Sequence, residues 1–212
     1  MDVVVAGGHG QIGQRLLRLL VARGDRARGL VRNPDHVGDL ERLGAEGVLC
    51  DLEREADVAQ HVAGADAIVF SAGAGPGSGP ERKRTMDLGG AVKLIDAARE
   101  AGIARYVIVS SIGADDPSSR PEQMRPYLEA KAEADAALER SGLDYTIVRP
   151  GRLTDDPGTG RVSAGPEVPR GEVPRDDVAA VLAAVIESPN AIGKTFNLVS
   201  GETPVEEAVR AL

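Results

Sequence analysis

Aromatic side chains are scarce in this sequence of 212 residues, which has three tyrosines, two phenylalanines and no tryptophan. A chain without tryptophan or interleaved aromatic residues offers no platform on which single-stranded bases could stack. Its formal net charge of −8 also argues against nucleic acid, because phosphate binding needs clustered lysine and arginine. We therefore expect no nucleic-acid partner and a hydrophobic core built from valine, leucine, isoleucine and alanine.

Cysteine occurs once, as Cys50, so the chain cannot form a disulfide framework or a multi-cysteine zinc site. The three histidines, His9, His36 and His61, do not match the spacing of a metal site, and we expect no bound metal. No apolar run approaches the roughly 18 residues that a membrane span needs. The residues after Met1 lack the basic segment of a signal peptide. We therefore expect a cytoplasmic protein without a membrane partner.

Apolar residues make up 42% of the chain and charged residues 27%, the balance of a folded globular protein rather than a disordered one. A length of 212 residues suits one domain of ordinary size. No internal repeat or low-complexity segment divides the sequence. We expect a single domain over residues 1–212, with residues 150–212 adding a small cap, a C-terminal strand and a final helix.

Strand-like and helix-like segments alternate along the chain. Short apolar runs predict strands at residues 3–6, 27–31, 47–50, 67–70, 106–109, 145–148 and 195–199. The spacing of apolar residues predicts one helix that ends near Gly24, others at 55–62, 84–100, 126–140 and 175–187, and a last helix after Pro204. This alternation predicts an α/β fold with a Rossmann-type doubly wound parallel sheet in three layers. In such sheets ligands bind at the carboxyl ends of the strands.

A glycine-rich turn follows the first strand, and its sequence is Gly7-Gly8-His9-Gly10-Gln11-Ile12-Gly13. Glycine lets the backbone turn tightly and approach a pyrophosphate, while the helix behind the turn offers free N–H groups and a positive dipole end. The strand before the turn and the amphipathic helix after it are the context that supports dinucleotide binding. A structural turn without a ligand is the alternative, and we expect His9 to face solvent.

The second strand ends in Val31-Arg32-Asn33, without a carboxylate. An acidic residue at this position selects NAD, whereas an arginine accommodates the 2′-phosphate of NADP. We interpret Arg32 as a phosphate clamp beside Asn33 and favour NADP, with NAD as the alternative cofactor and a solvated arginine as the alternative role. Asp51 and Leu52 follow the third strand and are expected to lie against the adenine. Asp51 would accept from the adenine amine or cap a helix.

A tyrosine and a lysine, Tyr127 and Lys131, are spaced four residues apart in a strongly helical stretch. Residues at this spacing share a helix face, so the phenol and the ammonium can face one site. Pro126 suits the start of a helix and places Tyr127 in its first turn. The spacing predicts an acid–base pair if solvent is excluded, and an exposed tyrosine with an ordinary lysine is the alternative.

Two serines, Ser110 and Ser111, end the fifth strand. A hydroxyl at the carboxyl edge of the sheet can polarise a substrate carbonyl. Adjacent strand residues face opposite sides, so only one serine can point at the substrate. We choose Ser111 as the catalytic hydroxyl and place Ser110, the reserve choice, among the cofactor-binding residues. A loop hydrogen bond is the competing role.

Taken together, these motifs resemble the short-chain dehydrogenase/reductase superfamily, specifically its small atypical members. The residues that carry the resemblance fall in family order over residues 1 to 201: Gly7-x-x-Gly10-x-x-Gly13, Arg32, Asp51-Leu52, Ser71-Ala72-Gly73, Val109-Ser110-Ser111, Tyr127-x-x-x-Lys131 and Arg149-Pro150-Gly151. The stretch from Ser141 to Gly151 is similar to the NAD(P)H-binding group around NmrA-like and biliverdin-reductase-B/flavin-reductase-like proteins.

The resemblance implies an oxidoreductase in which a hydride passes between NADP(H) and a small carbonyl, flavin or tetrapyrrole-like acceptor. It implies that Ala72 and Gly73 lie along the cofactor, that Pro150 and Gly151 pack near the nicotinamide, and that residues after 150 cap the substrate side. Lys131 would bind the nicotinamide ribose, while Tyr127 exchanges a proton with the substrate. A sugar-nucleotide epimerase or dehydratase and a non-catalytic redox-sensing regulator are the alternatives. We expect a monomer or a homodimer.

Overall fold

The computed structural model describes residues 1–75 and 77–212. Their strands are β1 (Asp2–Ala6), β2 (Arg26–Val31), β3 (Glu46–Leu49), β4 (Ala67–Phe70), β5 (Arg105–Val109), β6 (Asp144–Pro150), β7 (Arg152–Thr154), β8 (Arg161–Gly165), β9 (Glu172–Pro174), β10 (Lys194–Ser200) and β11 (Thr203–Pro204). Their α-helices are α1 (Gln11–Arg23), α2 (Val37–Glu41), α3 (Ala59–Val62), α4 (Pro80–Arg82), α5 (Ala91–Glu100), α6 (Arg125–Glu139), α7 (Arg175–Glu187) and α8 (Val205–Arg210), and a π-helical segment, Lys83–Gly90, joins α4 to α5.

Nine of these strands form one sheet in the order β11-β8-β10-β6-β5-β4-β1-β2-β3. All pairs from β10 to β3 are parallel, which confirms the expected Rossmann-type architecture. The sequence did not predict β8 and β11, which extend the sheet in antiparallel pairings. Strands β7 and β9 pair as a separate ribbon.

Helices cover both faces of the sheet, as the period-two pattern of β1 requires. Val3 and Val5 face a core that contains residues of α1, α7 and α8. Val4 and Ala6 face the opposite core, which contains residues of α3, α5 and α6. The strand is therefore buried on both faces, and the three predicted layers are present.

One predicted helix is much shorter than expected: of residues 55–62, only Ala59–Val62 is helical. The carboxylate of Asp57 accepts a hydrogen bond from the N–H of Ala59, which supports a helix start at that position. Upstream, the ammonium of Lys93 binds the backbone carbonyls of Leu52 and Glu55. These carbonyls are held by a side chain, and residues 51–55 form a turn instead of a helix.

The helical segment predicted at 84–100 begins earlier, at Pro80, and contains the π-helical stretch. Insertions of π-helix widen a helix locally and are frequent at functional sites. Asp87 lies within this stretch and is buried. No helix among the described residues is long and apolar enough to cross a membrane.

Candidate functional site

Two adjacent cavities lie along the carboxyl ends of the central strands. The glycine-turn cavity, about 480 Å³, is bordered by the turn after β1 and by Arg32 after β2. The tyrosine cavity, about 520 Å³, contains Tyr127, Lys131 and Ser111. Both are lined by Ser71, Ala72, Gly73 and Gly75 of the segment that follows β4. Because β1 and β4 are neighbours from which the sheet is wound in opposite directions, this is where a doubly wound fold binds an extended ligand.

The glycine turn can hold a diphosphate because no side chains at its glycines stand between the backbone and a ligand. Gly7 has φ +78°, and a Cβ there would lie 2.8 Å from the Cα of Ala72. A Cβ on Gly13 would collide with the carbonyl oxygen of Gly7. Helix α1 begins after Gly10 with no side-chain cap and no acidic residue in its first turn. Its first N–H groups and its positive dipole end are therefore available to an anion.

The remaining turn residues divide between cavity-lining and structural positions. Gln11 lines the glycine-turn cavity and Ile12 the tyrosine cavity. Gly8 lines neither: its N–H donates to Leu30, and a Cβ there would lie 2.7 Å from the Cα of Gly29. Gly8 thus allows the turn to pack against β2, a role that the glycine pattern alone did not distinguish.

His9 does not simply face solvent, contrary to expectation. Its ring stacks on that of His36 with centroids 3.5 Å apart, and its Nε2 lies 2.7 Å from Oδ2 of Asp39. Both imidazoles border the glycine-turn cavity. Sequence spacing gave no sign of this stack, because the two histidines are 27 positions apart in the chain.

Arg32 borders the same cavity, directly after the end of β2. Its side chain is 54% exposed, with Nη1 3.5 Å from Oε2 of Glu53, so the guanidinium keeps room for another partner. The side chain of Asn33 accepts from the N–H of Asp35 and caps the following 3₁₀ turn. Asn33 lies with Arg32 on a shallow groove outside the cavity.

Leu52 lines the glycine-turn cavity, whereas Asp51 lies on the outer groove. Oδ1 of Asp51 accepts from the N–H of Glu53, so this carboxylate organises a turn. The alternative of a helix cap at Asp51 is wrong, because the next helix begins at Ala59. The expected contact between Asp51 and adenine stays a prediction.

The tyrosine cavity holds a phenol beside two ammonium groups. Nζ of Lys131 lies 5.9 Å from the Tyr127 ring centroid, and Nζ of Lys83 lies 5.2 Å from it. Lys131 is buried and donates to the carbonyl oxygen of Val109 at 3.0 Å. Its Nζ also lies 3.3 Å from Oδ1 of Asp87. Sequence reasoning identified Tyr127 and Lys131 but missed Lys83 and Asp87, which come from the π-helical segment.

The two serines after β5 both line the tyrosine cavity but have different hydrogen-bond partners. The hydroxyl of Ser110 donates to Oδ2 of Asp135 at 2.8 Å and is buried. Burial raises the pKa of Asp135, while the guanidinium of Arg149, bonded to the same oxygen, acts in the opposite direction. Ser111 is half-buried and lines the tyrosine cavity, with only a 3.4 Å contact from Oγ to its neighbour's carbonyl. Ser111 therefore has the hydroxyl available to a substrate.

Another part of the wall of the tyrosine cavity comes from the end of β6, where Pro150 and Gly151 line it. The N–H of Ile112 donates to the carbonyl of Pro150, which ties this wall to the serine segment. A Cβ on Gly151 would collide with the carbonyl oxygen of Gly171. Leu153 of β7 extends the wall, so the β7–β9 ribbon stands beside the reactive groups.

A family model described as NAD(P)H-binding matches residues 7–189. The chain belongs to this NAD(P)H-binding family. It is 43% identical over 214 residues to the uncharacterized sugar epimerase YhfK of Bacillus subtilis, with both chains covered completely. A solved structure of a candidate NAD-dependent epimerase/dehydratase from Bacillus halodurans matches with 40% identity, complete coverage of both chains and a TM-score of 0.95.

The chain is also similar to a reductase of known structure. The structure of ChuY, an anaerobillin reductase from Escherichia coli O157:H7, has 26% identity and a TM-score of 0.82, over 94% of this chain and 97% of that one. Together these matches confirm the resemblance to atypical short-chain dehydrogenase/reductases. The bare glycine turn and uncapped α1 fit the dinucleotide that the family name implies.

One further cluster in this NAD(P)H-binding protein was not foreseen. Ligand atoms of Cys50, Glu55 and His61 lie within 4.8 Å of one another, although the histidine spacing indicated no metal site. Both oxygens of Glu55 already accept, from the N–H of Asp51 and from His61. Burial raises the pKa of the Cys50 thiol to about 12, which keeps it protonated. Hydrogen bonding and burial account for these three side chains without an ion.

Proposed function

We propose that this protein is an NADP(H)-dependent oxidoreductase that acts on a small carbonyl, flavin or tetrapyrrole-like acceptor. The observation that carries the proposal is the continuity of the two cavities: the segment 71–75 borders both the anion-binding turn and the Tyr127 site. A dinucleotide laid along this groove would bring its nicotinamide to Tyr127. When bound, NADP(H) supplies or accepts the hydride.

The side chains of the tyrosine cavity supply proton transfer and charge stabilisation. Tyr127 gives a proton to the oxygen of the carbonyl whose carbon accepts the hydride, or to a protonatable atom of a flavin or tetrapyrrole-like acceptor. It takes the proton back in the reverse direction. Lys131 and Lys83 stabilise the phenolate that forms, because each ammonium lies within 6 Å of the ring. Ser111 donates to the reacting carbonyl and stabilises developing negative charge.

NADP is the proposed cofactor because the end of β2 presents Arg32 and no carboxylate to the glycine-turn cavity. The 2′-phosphate would take the guanidinium's free side, opposite its 3.5 Å contact with Glu53. Wild-type protein should bind NADPH more tightly than NADH.

The position of the C-terminal segments supports a small acceptor, because most of them build the sheet and its cover instead of a cap. Strands β8, β10 and β11 extend the sheet and α7 covers its face. Leu153 is the residue of the β7–β9 ribbon that reaches the tyrosine cavity, so the cap beside this cavity is narrow. We propose a small-molecule acceptor and a monomer or homodimer.

Epimerisation is the second candidate, favoured by the names of two similar proteins. The same tyrosine and lysine would then move a proton to and from a sugar hydroxyl while the cofactor is recycled. Such an enzyme should retain bound NAD(P) through purification and show no net absorbance change at the nicotinamide band.

The test combines dinucleotide binding with NADPH oxidation in the presence of small aldehydes and ketones, FMN and biliverdin. Tyr127→Phe should lower turnover by about 100- to 10,000-fold without changing NADPH affinity. Tyr145→Phe is the matched control, because this partly buried tyrosine lies on β6, where it packs against a hydrophobic core and does not line the tyrosine cavity. Binding without turnover of any acceptor would instead indicate a redox-sensing regulator. Absence of binding to NADPH and NADH would refute the proposal.

A further inference from the structure

The stack of His9 on His36 stands at the edge of the glycine-turn cavity that also contains Arg32. The ring centroids are 3.5 Å apart and the rings lie within 7° of parallel. One histidine belongs to the glycine turn and the other to the 3₁₀ turn after β2. The stack therefore joins the diphosphate end of the cavity to the end that reads the adenosine ribose.

His9 is oriented by an acidic partner. Its Nε2 lies 2.7 Å from Oδ2 of Asp39, and Arg42 binds the other oxygen of that carboxylate. The hydrogen bond from Arg42, followed by the one from His9, lowers the pKa of Asp39. The ionised carboxylate accepts, so Nε2 of His9 carries a hydrogen and the ring is fixed in one orientation.

His36 has a different environment. Nδ2 of Asn33 lies 3.5 Å from its Nε2, a contact in which the amide donates and a neutral imidazole accepts. Asp35, the preceding residue, is exposed. Protonation of His36 at Nε2 would therefore cost only its weak contact with the amide of Asn33.

The arginines beside the stack are already partly neutralised. Oε2 of Glu53 lies 3.5 Å from Arg32 and 3.2 Å from Arg82, and both arginines border the cavity. Glu53 therefore offsets part of the positive charge of both guanidinium groups. Protonation of the imidazoles would add positive charge at the same cavity.

We propose that His9, His36 and Arg32 together form the subsite for the 2′-phosphate of NADP, and that the imidazole pair takes up a proton when this phosphate binds. The inference rests on the proposed dinucleotide function and extends it to His36, a residue outside the glycine turn. Two stacked rings resist carrying a charge each, because like charges repel at this distance. A phosphate dianion beside them offsets the repulsion, whereas NAD offers no such group.

Proton uptake is measured by calorimetry of NADP⁺ and NAD⁺ binding in two buffers with different ionisation enthalpies. The measurement is made at about pH 7.5, above the second pKa of a phosphate ester, about 6. At this pH a phosphate bound among cations can only release protons, so net uptake must come from the protein. We expect uptake with NADP⁺ and none with NAD⁺. The affinity for NADP⁺ should fall as pH rises, by up to about tenfold per pH unit.

Glutamine variants assign the proton to the stack. His36→Gln should abolish the uptake and weaken NADP⁺ by about tenfold, while NAD⁺ affinity changes little. His9→Gln should also reduce the uptake. His61→Gln, at the third histidine and outside this cavity, is the matched control. It should keep the wild-type proton uptake and the wild-type ratio of NADP⁺ to NAD⁺ affinity.

Two outcomes separate this inference from the proposed function. Tight NADP⁺ binding without proton uptake, or uptake that persists in His36→Gln, would overturn the imidazole subsite and leave the dinucleotide function standing. Absence of heat with both dinucleotides would refute the proposed function itself.

Discussion

Asp87 and Lys131 form a buried ion pair at the base of the tyrosine cavity: Oδ1 and Nζ are 3.3 Å apart, and the side chains are 2% and 4% exposed. Each partner has a second anchor. Lys131 donates to the carbonyl of Val109, and Asp87 accepts from the N–H of Ala74. The pair therefore joins α6, the π-helical segment, the end of β5 and the loop after β4, and all four segments line the tyrosine cavity.

Removing one member of this pair should cost more stability than removing both. Asp87→Ala leaves a buried ammonium without a counter-charge and should lower the free energy of unfolding by about 3–5 kcal/mol. Lys131→Met leaves the carboxylate with the Ala74 N–H and should also destabilise. The double variant should recover much of the loss, because no charge remains buried. Urea unfolding of the four proteins measures this coupling.

The double-mutant cycle can also contradict the proposed coupling between Asp87 and Lys131. Additive losses would mean that the two groups do not interact and that the lysine is balanced elsewhere. Arg84→Ala provides the surface control, because its contact with Glu133 on α6 is exposed and such pairs contribute about 1 kcal/mol or less.

Local patterns were sufficient to predict the parallel strands of the sheet and several of the residues that line the two cavities. The glycine turn and the Tyr127–Lys131 spacing are short-range signals, since each depends on residues within one turn of a helix or loop. The central strands were also predicted closely, because a buried parallel strand is a continuous apolar run. Both kinds of pattern can be recognised without knowing which other segments pack against these residues.

Contacts between distant segments were not predictable in this way. In the sequence, Asp87 is one acidic residue within the helix predicted at 84–100. Its contact with Lys131 arises only in the folded chain. Arg105 reads as the residue before a strand, yet it is buried within β5, where its guanidinium donates to the carbonyls of Val185 and Ile186 at the end of α7. Strand β8 lacks an apolar run and is defined by pairing with β10.

Ser110 and Ser111 should separate stability from catalysis. Ser111→Ala removes a hydroxyl that lines the tyrosine cavity and should lower turnover by about 10- to 1000-fold with little change in unfolding. Ser110→Ala removes the donor to buried Asp135 and should destabilise by about 1–3 kcal/mol. NADPH oxidation and urea unfolding of both variants measure the difference. The reverse pattern would show that the catalytic hydroxyl belongs to Ser110.

Glu55 should make the stability of the turn at residues 51–55 depend on pH. The hydrogen bond from the N–H of Asp51, followed by the one from His61, lowers the pKa of Glu55. An acid whose pKa is lower in the folded state stabilises the fold above its unfolded pKa, about 4.3. That contribution is lost as pH falls through the lower folded value.

Glu55→Gln should therefore be less stable than the wild type at about pH 6, by about 0.5–1 kcal/mol, since this partly exposed carboxylate is screened by solvent. The difference should vanish at about pH 3, where the carboxylate is protonated in both states. Glu100→Gln, at the exposed end of α5, is the matched control and should show no such change. Urea unfolding at both pH values measures the two differences. A Glu55 difference that is constant with pH would mean that the turn is held without the charge of this carboxylate.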